Sequence, residues 1–269
     1  MTVAAESREA ESIVTRVKAA QERARGIFRL KFFGTWVVLI GALLFALWAT
    51  DNIDLEFITV WGPFIIGGAG LTILLSAVSI VFATLLALLG AMGRLSHNPY
   101  LNGMASLYVS LVRGTPLIVQ IYFIYLALPQ VGIVLPAIPA GIIALSFNYG
   151  AYMTEIFRAG IQAVPRAQRE AAQSLGMPER LVMRRIVLPQ AIRIVIPAIG
   201  NDFVAMLKDS SLVSILAVEE LLFRSQLVGR QNFRSLEALV IAAAVYWMLT
   251  IAFSTVQERL ERRMARGDR

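Results

Sequence analysis

The sequence predicts an all-α fold, a polytopic helical membrane protein. Of its 269 residues 57% are hydrophobic and 16% are charged, and the mean hydropathy is +0.67. Apolar runs recur along the chain, and a helix needs about 20 mostly apolar residues to cross about 30 Å of hydrocarbon. This composition is typical of an integral membrane protein and excludes a single soluble domain.

Hydropathy places six membrane spans in the chain, with ends defined to about 2–4 residues. They cover residues 32–50, 65–93, 105–128, 139–157, 192–221 and 236–256. The third and fifth spans are the least regular, because charged residues and helix breakers interrupt their apolar runs. Charges inside a membrane are costly, so these interruptions are candidate functional sites.

Lysine and arginine residues set the predicted orientation, because short loops that carry them stay on the cytoplasmic side. The tail 1–31, the interruption 166–185 and the tail 258–269 are rich in basic residues. The loop 51–64 has acidic residues without basic ones, and the loop 129–138 has no charge. Both termini are therefore predicted to be cytoplasmic, with these two loops on the outside.

One loop departs from this orientation. The connection before the sixth span is predicted to lie outside, yet it carries three basic residues, Arg224, Arg230 and Arg234. Placing this connection on the inside would reverse the whole orientation. Four other loops or tails would then contradict the charge rule so that this one could agree with it. We therefore keep the orientation and expect another reason for these arginines.

The N-terminal tail, residues 1–31, is too long and too acidic for the start of a signal peptide. The first span is therefore expected to remain in the protein. The tail has apolar residues at helical spacing among its charges, so it is expected either to lie on the inner membrane surface or to be solvated and partly ordered.

The residue inventory excludes several chemistries. The chain has no cysteine and one histidine, His97, so disulfides, thiolate metal sites and an ordinary zinc cluster cannot form. A P-loop needs a lysine that follows glycine and precedes Ser or Thr. None of Lys18, Lys31 and Lys208 has such neighbours, so the chain is predicted to bind no metal or cofactor, and any ATP hydrolysis belongs to a partner.

The longest polar interruption, residues 165–190, predicts two short helices joined at a bend. Pro165 suits a first helical turn, Gly176 suits a left-handed helix cap, and Pro178 starts the second helix. Pro189 is expected to end or kink that helix, because it has no amide hydrogen. Two interpretations remain open: a protrusion that fits a groove in another protein, or an interfacial amphipathic loop.

A motif in this segment favours the protrusion. Its fixed positions are Glu170, Ala171, Ala172, Gly176, Ile186, Leu188 and Pro189. This pattern resembles the EAA loop of ABC-importer membrane subunits. In that family the loop is a coupling helix that docks into a cleft of a separate ATP-hydrolysing subunit. The resemblance therefore implies ATPase-coupling roles for Glu170, Ala171, Ala172, Gly176, Leu188 and Pro189.

Three further segments resemble the polar amino acid branch of these permeases, to which the histidine and glutamine permeases belong. They are RGTPL at 113–117, NYGAYMTEIFRAGI at 148–161 and LKDSSLVS at 207–214. The resemblance covers residues 62–257 and implies an ABC importer type I permease core of five spans. Residues 32–50 then form one extra N-terminal span, and the tails 1–31 and 258–269 are cytoplasmic.

The resemblance also implies the partners of the chain. They are a dimer of ABC ATPase subunits that holds ATP and magnesium, a second permease subunit that is identical or paralogous, and a periplasmic or lipoprotein substrate-binding protein. The implied substrate is an amino acid, and the implied location is a bacterial plasma (inner) membrane, in contact with lipid. No nucleic acid partner is predicted.

Polar residues inside the predicted spans are candidates for the substrate site, since transporters commonly bind substrate near the bilayer midplane at broken helices. Asn148 and Glu155 lie seven residues apart, which places them on one helix face. Polar groups also occur at 200–202. The substrate candidates are Glu155, Asn148, Lys208, Asp209, Ser210, Ser211, Arg113 and Thr115.

In this hypothesis the carboxylates meet a substrate ammonium, while Ser210 and Ser211 meet its carboxylate. The helix is expected to open locally within residues 206–214. Two alternatives stay open. Arg113 can snorkel to the cytoplasmic interface, and Lys208 can neutralise Asp209 or Asp202 inside a packed bundle. Aromatic neighbours are expected to be packing residues or interfacial anchors, namely Phe147, Tyr149 and Tyr152.

The predicted function is the membrane translocation subunit of an ATP-driven importer for polar amino acids, rather than an enzyme. The alternative is an ion-gradient-driven secondary transporter or channel for small zwitterions, which needs no docking segment. A membrane-bound enzyme ranks third, because the inventory offers no obvious nucleophile and base, although a Ser or Asp active site stays open.

Overall fold

The computed structural model describes the backbone of residues 2–49 and 54–265 and the side chains of residues 21–46, 49 and 54–264. Every regular element in these ranges is helical. The chain divides into two compact units, Met1–Leu55 and Glu56–Arg269. The all-α, membrane-helix fold class predicted from the sequence is confirmed.

The first unit consists of one long helix, α1, Thr2–Ala49. From Thr2 to Ala49, the predicted tail and the predicted first span are thus parts of one continuous helix. Its stretch Gln21–Ala46 is long and apolar enough to cross a membrane. Residues 50–51, the end of the predicted span and the start of the predicted outer loop, lie outside the described residues.

The second unit begins with two consecutive helices, α2 (Leu55–Gly67) and α3 (Ala69–Leu95). The expectation of a loop up to residue 64 is therefore wrong from Leu55 onward. Of the acidic residues that placed this loop outside, Asp54 lies just before α2 and Glu56 lies in its first turn, while Asp51 lies outside the described residues. Carboxylates at that position stabilise the positive end of a helix dipole, so they mark a helix start here.

The third predicted span is a broken helix. Helix α4 (Pro99–Arg113) is followed by α5 (Leu117–Tyr122), and the chain axis bends by 106° between them. Pro116 lacks an amide hydrogen and cannot continue the hydrogen-bond ladder of α4. After α5 come a π turn, Phe123–Ala127, and a 3₁₀ turn, Leu128–Val131.

Six further helices complete the second unit. They are α6 (Ala137–Gln162), α7 (Arg166–Ser174), α8 (Glu179–Val182), α9 (Leu188–Asp209), α10 (Leu221–Gln231) and α11 (Ser235–Ala265). A π turn, Met183–Val187, joins α8 to α9, and a 3₁₀ helix, Ser210–Leu216, follows α9. The predicted tail 258–269 is helical through Ala265, and residues 266–269 lie outside the described residues.

Length and hydropathy support membrane crossing at four of the six predicted places. Among the described helices, Gln21–Ala46, Leu55–Leu95 and Ser235–Met264 qualify, and the bent pair of α4 and α5 adds a fourth candidate. Helix α6 covers the fourth predicted span, 139–157, whereas α9 covers the fifth, 192–221, only as far as Asp209, because a 3₁₀ helix and the non-helical residues 217–220 follow it. Neither helix qualifies. Both carry ionisable residues within their length, such as Glu155 and Asp202.

Helices α9 and α11 run antiparallel. Gln257 Nε2 donates to Asn201 Oδ1 at 2.8 Å, and the rings of Phe203 and Phe253 pack with centroids 5.0 Å apart. Along α9 from Asn201 to Phe203 the contacts move back along α11 from Gln257 to Phe253, so the second half of α9 contacts the late part of α11 and the start of α11 lies towards the end of α9. Because α9 starts at the segment 165–190, α10 lies at the opposite end of the bundle from that segment.

The start of α10 is fixed by the buried carboxylate of Glu220. Its Oε1 accepts a hydrogen bond from the amide of Phe223 at 2.8 Å, and its Oε2 accepts one from the Tyr246 hydroxyl at 2.6 Å. The Thr72 hydroxyl in turn accepts a hydrogen bond from the amide of Leu221 at 3.2 Å. Helices α3, α10 and α11 are thus joined at one polar cluster with its groups satisfied.

The main core of the second unit lies among α3, α6, α9 and the 3₁₀ helix that follows it. Its fully buried members include Leu75, Leu145, Met153, Met206 and Val213. Helices α3 and α6 pack most extensively. This packed core holds the polar side chains of α6 and α9 in fixed positions.

Gly68, between α2 and α3, approaches α10 so closely that an added Cβ would lie 2.8 Å from the Cα of Leu221. Backbone atoms cannot rotate away, so Gly68→Val should cost about 1–3 kcal/mol of stability. The expected result is a lower thermal unfolding midpoint in detergent. Gly70→Val is the matched control, because no atom lies within 4 Å of its added Cβ. Equal losses in both variants would contradict this packing.

Candidate functional site

A polar cavity of about 620 Å³ lies among the α4–α5 break, α6 and α9. Its volume falls in the range of small-molecule sites. Five of the eight predicted substrate residues line it: Arg113, Thr115, Asn148, Glu155 and Asp209. In the part of the chain that the structure describes, no three His, Asp or Glu side chains are grouped as a metal site would require.

Two aspartates of α9 bring negative charge to this cavity. Asp209 Oδ2 accepts a hydrogen bond from the Tyr149 hydroxyl at 2.8 Å. Asp202 Oδ2 is buried and has no hydrogen-bond partner among the described residues. Within the same ranges neither carboxylate forms an ion pair. A cationic group that entered the cavity would therefore supply the missing charge and hydrogen bonds.

Arg113 brings positive charge to the same cavity. Its guanidinium carbon lies 5.2 Å from the centroid of the Tyr152 ring, a cation–π arrangement. Beside it, Gln120 Nε2 donates to Thr115 Oγ1 at 2.9 Å, and Asn148 Nδ2 donates to Gln120 Oε1 at 3.1 Å. No described carboxylate pairs with Arg113. The cavity thus offers separate places for an anionic and a cationic group.

Glu155 lines the cavity, but its carboxylate is already occupied. Arg94 Nε donates to Oε1 at 3.1 Å, and Arg158 Nη2 donates to Oε2 at 2.6 Å. Arg94 lies at the end of α3 and also donates to the Ser106 hydroxyl of α4. Glu155 therefore ties α6 to α3 and, through Arg94, to α4.

Replacing Glu155 by Gln should leave Arg94 and Arg158 without their counter-charge and lower the thermal unfolding midpoint. Competition among amino acids for uptake should not change, because the carboxylate is already engaged. Glu258→Gln is the matched control, since Glu258 pairs with Arg262 in solvent, where ion pairs contribute little. A changed competition profile with unchanged stability would instead place Glu155 against the substrate.

Three predicted substrate residues lie away from this cavity. Ser210 is fully buried, and its hydroxyl donates to the carbonyl of Leu207 at 2.9 Å. Lys208 and Ser211 line a separate cavity of about 410 Å³ beside α10 and α11. Among the described residues Lys208 pairs with neither Asp209 nor any other carboxylate. Neighbouring positions on a helix face different directions, which separates these residues from Asp209.

The predicted opening of the helix within residues 206–214 is wrong in its form. The chain stays helical and tightens, because α9 is followed directly by the 3₁₀ helix Ser210–Leu216. The Ser210 hydroxyl bonds to a carbonyl three residues earlier, which favours the tighter turn. The polarity of this segment therefore comes from side chains rather than from freed backbone groups.

The segment 165–190 folds into two short helices with a bend, as the sequence predicts. Helix α7 follows Pro165, and α8 follows Pro178. Gly176 lies between them with φ +78°, in the left-handed region that side chains disfavour. The turn is closed by a hydrogen bond from the amide of Met177 to the carbonyl of Ala172 at 3.1 Å. The left-handed turn that Gly176 predicts is therefore present.

This segment has a small core of its own. Ala172 is buried against Val182 and Val187. Glu170 and Ala171 are exposed, and the side chain of Leu175 is 84% exposed. The core holds the shape of the bend, so the exposed residues form a fixed surface.

Pro189 was predicted to end or kink the second helix; α8 ends earlier, at Val182, and a π turn, Met183–Val187, separates it from the helix that contains Pro189. Helix α9 starts at Leu188, immediately before this proline, and runs on to Asp209. The wider π turn Met183–Val187 ends two residues before Pro189, in the turn that a proline ring would otherwise meet. Pro189 and Leu188 are both exposed at the start of α9, where the missing amide hydrogen costs little.

Residues 83–266 match the family described as the binding-protein-dependent transport system inner membrane component. This match covers more than half of the chain. The chain belongs to this family of permeases. The matched residues include every cavity residue discussed above and the whole segment 165–190.

Curated relatives of this permease carry amino acid transport names. The L-cystine transport system permease protein TcyB of Bacillus subtilis is 40% identical over 205 residues, which cover 76% of this chain and 88% of the relative. The putative glutamine transport system permease protein GlnP of Rickettsia conorii is 36% identical and covers 75% of this chain and 93% of its own. The similarity thus spans most of each relative.

Solved structures agree with the fold of the permease. An amino acid ABC transporter crystallised with histidines is 38% identical, has a TM-score of 0.76, and covers 78% of this chain and 99% of its own. A MetNI methionine ABC transporter in an inward-facing conformation has a TM-score of 0.60 at 16% identity, over 79% of this chain and 99% of its own. The second similarity shows the fold alone.

Sequence reasoning missed part of the cavity of this permease. Tyr149 and Tyr152 were expected to pack or anchor, yet they hold a carboxylate and a guanidinium at the cavity. Gln120 does not line the cavity but bonds to Thr115 and Asn148, which do, and a glutamine inside an apolar run is a sequence signal for such a role. Asp202 was noted among polar groups of the fifth span, but its missing partner could be seen only in the packed bundle.

Proposed function

We propose that this permease is the translocation subunit of an ATP-driven importer for polar amino acids. The amino acid names of its relatives and of a solved structure support this substrate class. The observation that carries the proposal is the charge pattern of the 620 Å³ cavity. Arg113, Asp202 and Asp209 line it without an ion-pair partner among the described residues.

This charge pattern fits a zwitterion. Arg113 receives the carboxylate of the amino acid through charge-assisted hydrogen bonds. Asp209 and Asp202 receive its ammonium group, which donates to the Oδ2 of Asp202 the hydrogen bond that this oxygen lacks among the described residues. Asn148 and Thr115 are held by Gln120 at the same wall and orient the molecule. Lys208, Ser210 and Ser211 have no direct role in this site.

The segment 165–190 couples this site to ATP hydrolysis. Glu170 and Ala171 dock into a cleft of the ATPase subunit, while Ala172 and Gly176 keep the docking helix in shape. Arg169 Nη2 donates to the carbonyl of Ile161 at 2.8 Å, which joins α7 to the end of α6. Since α6 also carries Asn148, movement of the docking helix is transmitted to the cavity. Leu188 and Pro189 form the start of α9 beside it.

The working assembly contains two permease chains, identical or paralogous, and two ATPase subunits that bind ATP and magnesium. A substrate-binding protein delivers the amino acid on the outer side of a bacterial inner membrane. Both ends of the permease lie in the cytoplasm, on the side of segment 165–190. The basic residues of both tails support this orientation.

ATP hydrolysis by the co-purified complex tests this function. The permease, its ATPase and its binding protein are reconstituted in liposomes, and phosphate release is measured with and without each amino acid. The expected result is hydrolysis that rises when the binding protein carries a polar amino acid. A permease that retains no ATPase subunit on purification, or hydrolysis that is insensitive to the binding protein, would overturn the proposal.

A further inference from the structure

The turn between α10 and α11, residues 230–235, carries an exposed aromatic ring in a strained conformation. The side chain of Phe233 is 95% exposed, and its φ is +55°. Both features are unfavourable for phenylalanine, since the ring is in contact with solvent and the left-handed region penalises a Cβ. A strained and exposed residue of this kind is a reason to look for a function.

The α10–α11 turn is held rigidly. The amide of Arg234 donates to the carbonyl of Gly229 at 2.8 Å, and Asn232 Nδ2 donates to the carbonyl of Val228 at 2.9 Å. Gly229 packs so closely that an added Cβ would lie 3.0 Å from the Cα of Ser235. The exposed position of Phe233 is therefore a consequence of the packed helices.

Three arginines in this region were unexplained by the orientation of the chain, and two of them have partners. Arg224 Nη1 donates to the carbonyl of Phe64 at 3.2 Å, and Arg234 pairs with the buried carboxylate of Glu237 at 3.0 Å. Arg230 is exposed, and its guanidinium has no ion-pair or hydrogen-bond partner among the described residues. Its charge is available to another molecule.

A small polar cavity of about 230 Å³ adjoins Arg230. Ser225, Gln226, Ser235 and Leu239 complete its lining. Ser225 is fully buried, and its hydroxyl has no hydrogen-bond partner in the described part of the chain. Helix α11 begins at Ser235, so amides of its first turn and the positive end of its dipole lie at this cavity. The donors present match one carboxylate group.

We propose that the α10–α11 turn is a docking surface for the substrate-binding protein. A glutamate or aspartate side chain of that protein enters the cavity at Arg230, and Phe233 contacts its apolar surface. The inference rests on the proposed function, because α10 lies at the bundle end opposite to the segment 165–190, where a binding protein has to deliver its amino acid. It also accounts for a basic loop on the predicted outer side.

The test measures binding of the amino acid-loaded binding protein to the permease–ATPase complex in lipid nanodiscs. Arg230→Glu should raise the dissociation constant at least about tenfold, and Phe233→Ala should raise it several-fold. Arg230→Lys should keep most of the affinity at low salt. Basal ATP hydrolysis without binding protein should stay unchanged in all three. The matched control is Arg259→Glu, an exposed arginine near the other end of α11, which should bind normally.

Each alternative gives a distinct result. Unchanged affinity in Arg230→Glu, with a wild-type complex that is stimulated normally, would overturn the docking surface and leave the proposed function intact. A wild-type complex that never binds the protein would overturn the proposed function itself. Quenching of a Phe233→Trp fluorophore by brominated lipid, together with normal binding by Arg230→Glu, would make the turn a membrane anchor and also overturn the docking surface.

Discussion

Replacing Asp209 by Asn is expected to reduce amino acid uptake at least about tenfold while the complex still assembles and hydrolyses ATP at its basal rate. The carboxylate accepts a hydrogen bond from Tyr149 and pairs with no described cation, so its charge is available to the substrate. A hydrogen bond to a charged group contributes about 1.5–3 kcal/mol, and about 1.4 kcal/mol is tenfold in affinity. Uptake into liposomes, normalised to assembled complex, measures the effect.

The neighbour Ser210 provides the control for this result. Its hydroxyl is buried and bonded to the carbonyl of Leu207, away from the cavity. Ser210→Ala should therefore leave the competition profile of a panel of amino acids unchanged, while Asp209→Asn should weaken uptake or change which amino acid is accepted. If Asp209→Asn had a wild-type profile and rate, the substrate site would not include this carboxylate.

Replacing Gly176 by Val is expected to abolish transport while the permease still inserts in the membrane. The glycine has φ +78°, where a β-branched side chain is strained by about 1–3 kcal/mol, although no neighbouring atom would clash with an added Cβ. The strain should therefore distort the bend and displace the docking helix. Co-purification of the ATPase with the tagged permease, followed by uptake, measures the loss.

Three variants separate backbone strain from surface chemistry in this segment. Gly176→Asn should retain more transport than Gly176→Val, because asparagine tolerates the left-handed region. Glu170→Lys leaves the backbone intact but should weaken binding of the ATPase by reversing an exposed charge. Arg180→Ala, a change at an exposed neighbour, should have little effect. Normal transport by both Gly176→Val and Glu170→Lys would rule out the coupling role.

The sequence predicts the elements that depend on local chemistry. Gly176 predicted a left-handed bend, and the charged residue and helix breaker in the third span predicted its irregularity; both are present, the second at Arg113 and Pro116. Pro189 predicted an end or kink of the second helix, but the irregularity lies before it, in the π turn Met183–Val187 that follows the end of α8 at Val182. A single residue type therefore fixes a turn more reliably than it fixes the end of a helix.

The composition of the cavity could be predicted only in part. Asn148 and Glu155 share a helix face because of their spacing, and both line the cavity. Residue spacing cannot show that the Glu155 carboxylate already forms ion pairs with Arg94 and Arg158. It also cannot show that Lys208 and Asp209 line different cavities. These facts depend on how α3, α6, α9 and α11 pack against each other, which no local pattern encodes.

We propose that this permease moves amino acids with energy from a separate ATPase. The most direct measurement is uptake of a labelled polar amino acid into liposomes that contain the permease–ATPase complex, with binding protein outside and either ATP or an ion gradient supplied. We expect uptake against a concentration gradient that requires both ATP and binding protein and is absent with a proton or sodium gradient alone. Gradient-driven uptake by the permease without ATPase or ATP would contradict it.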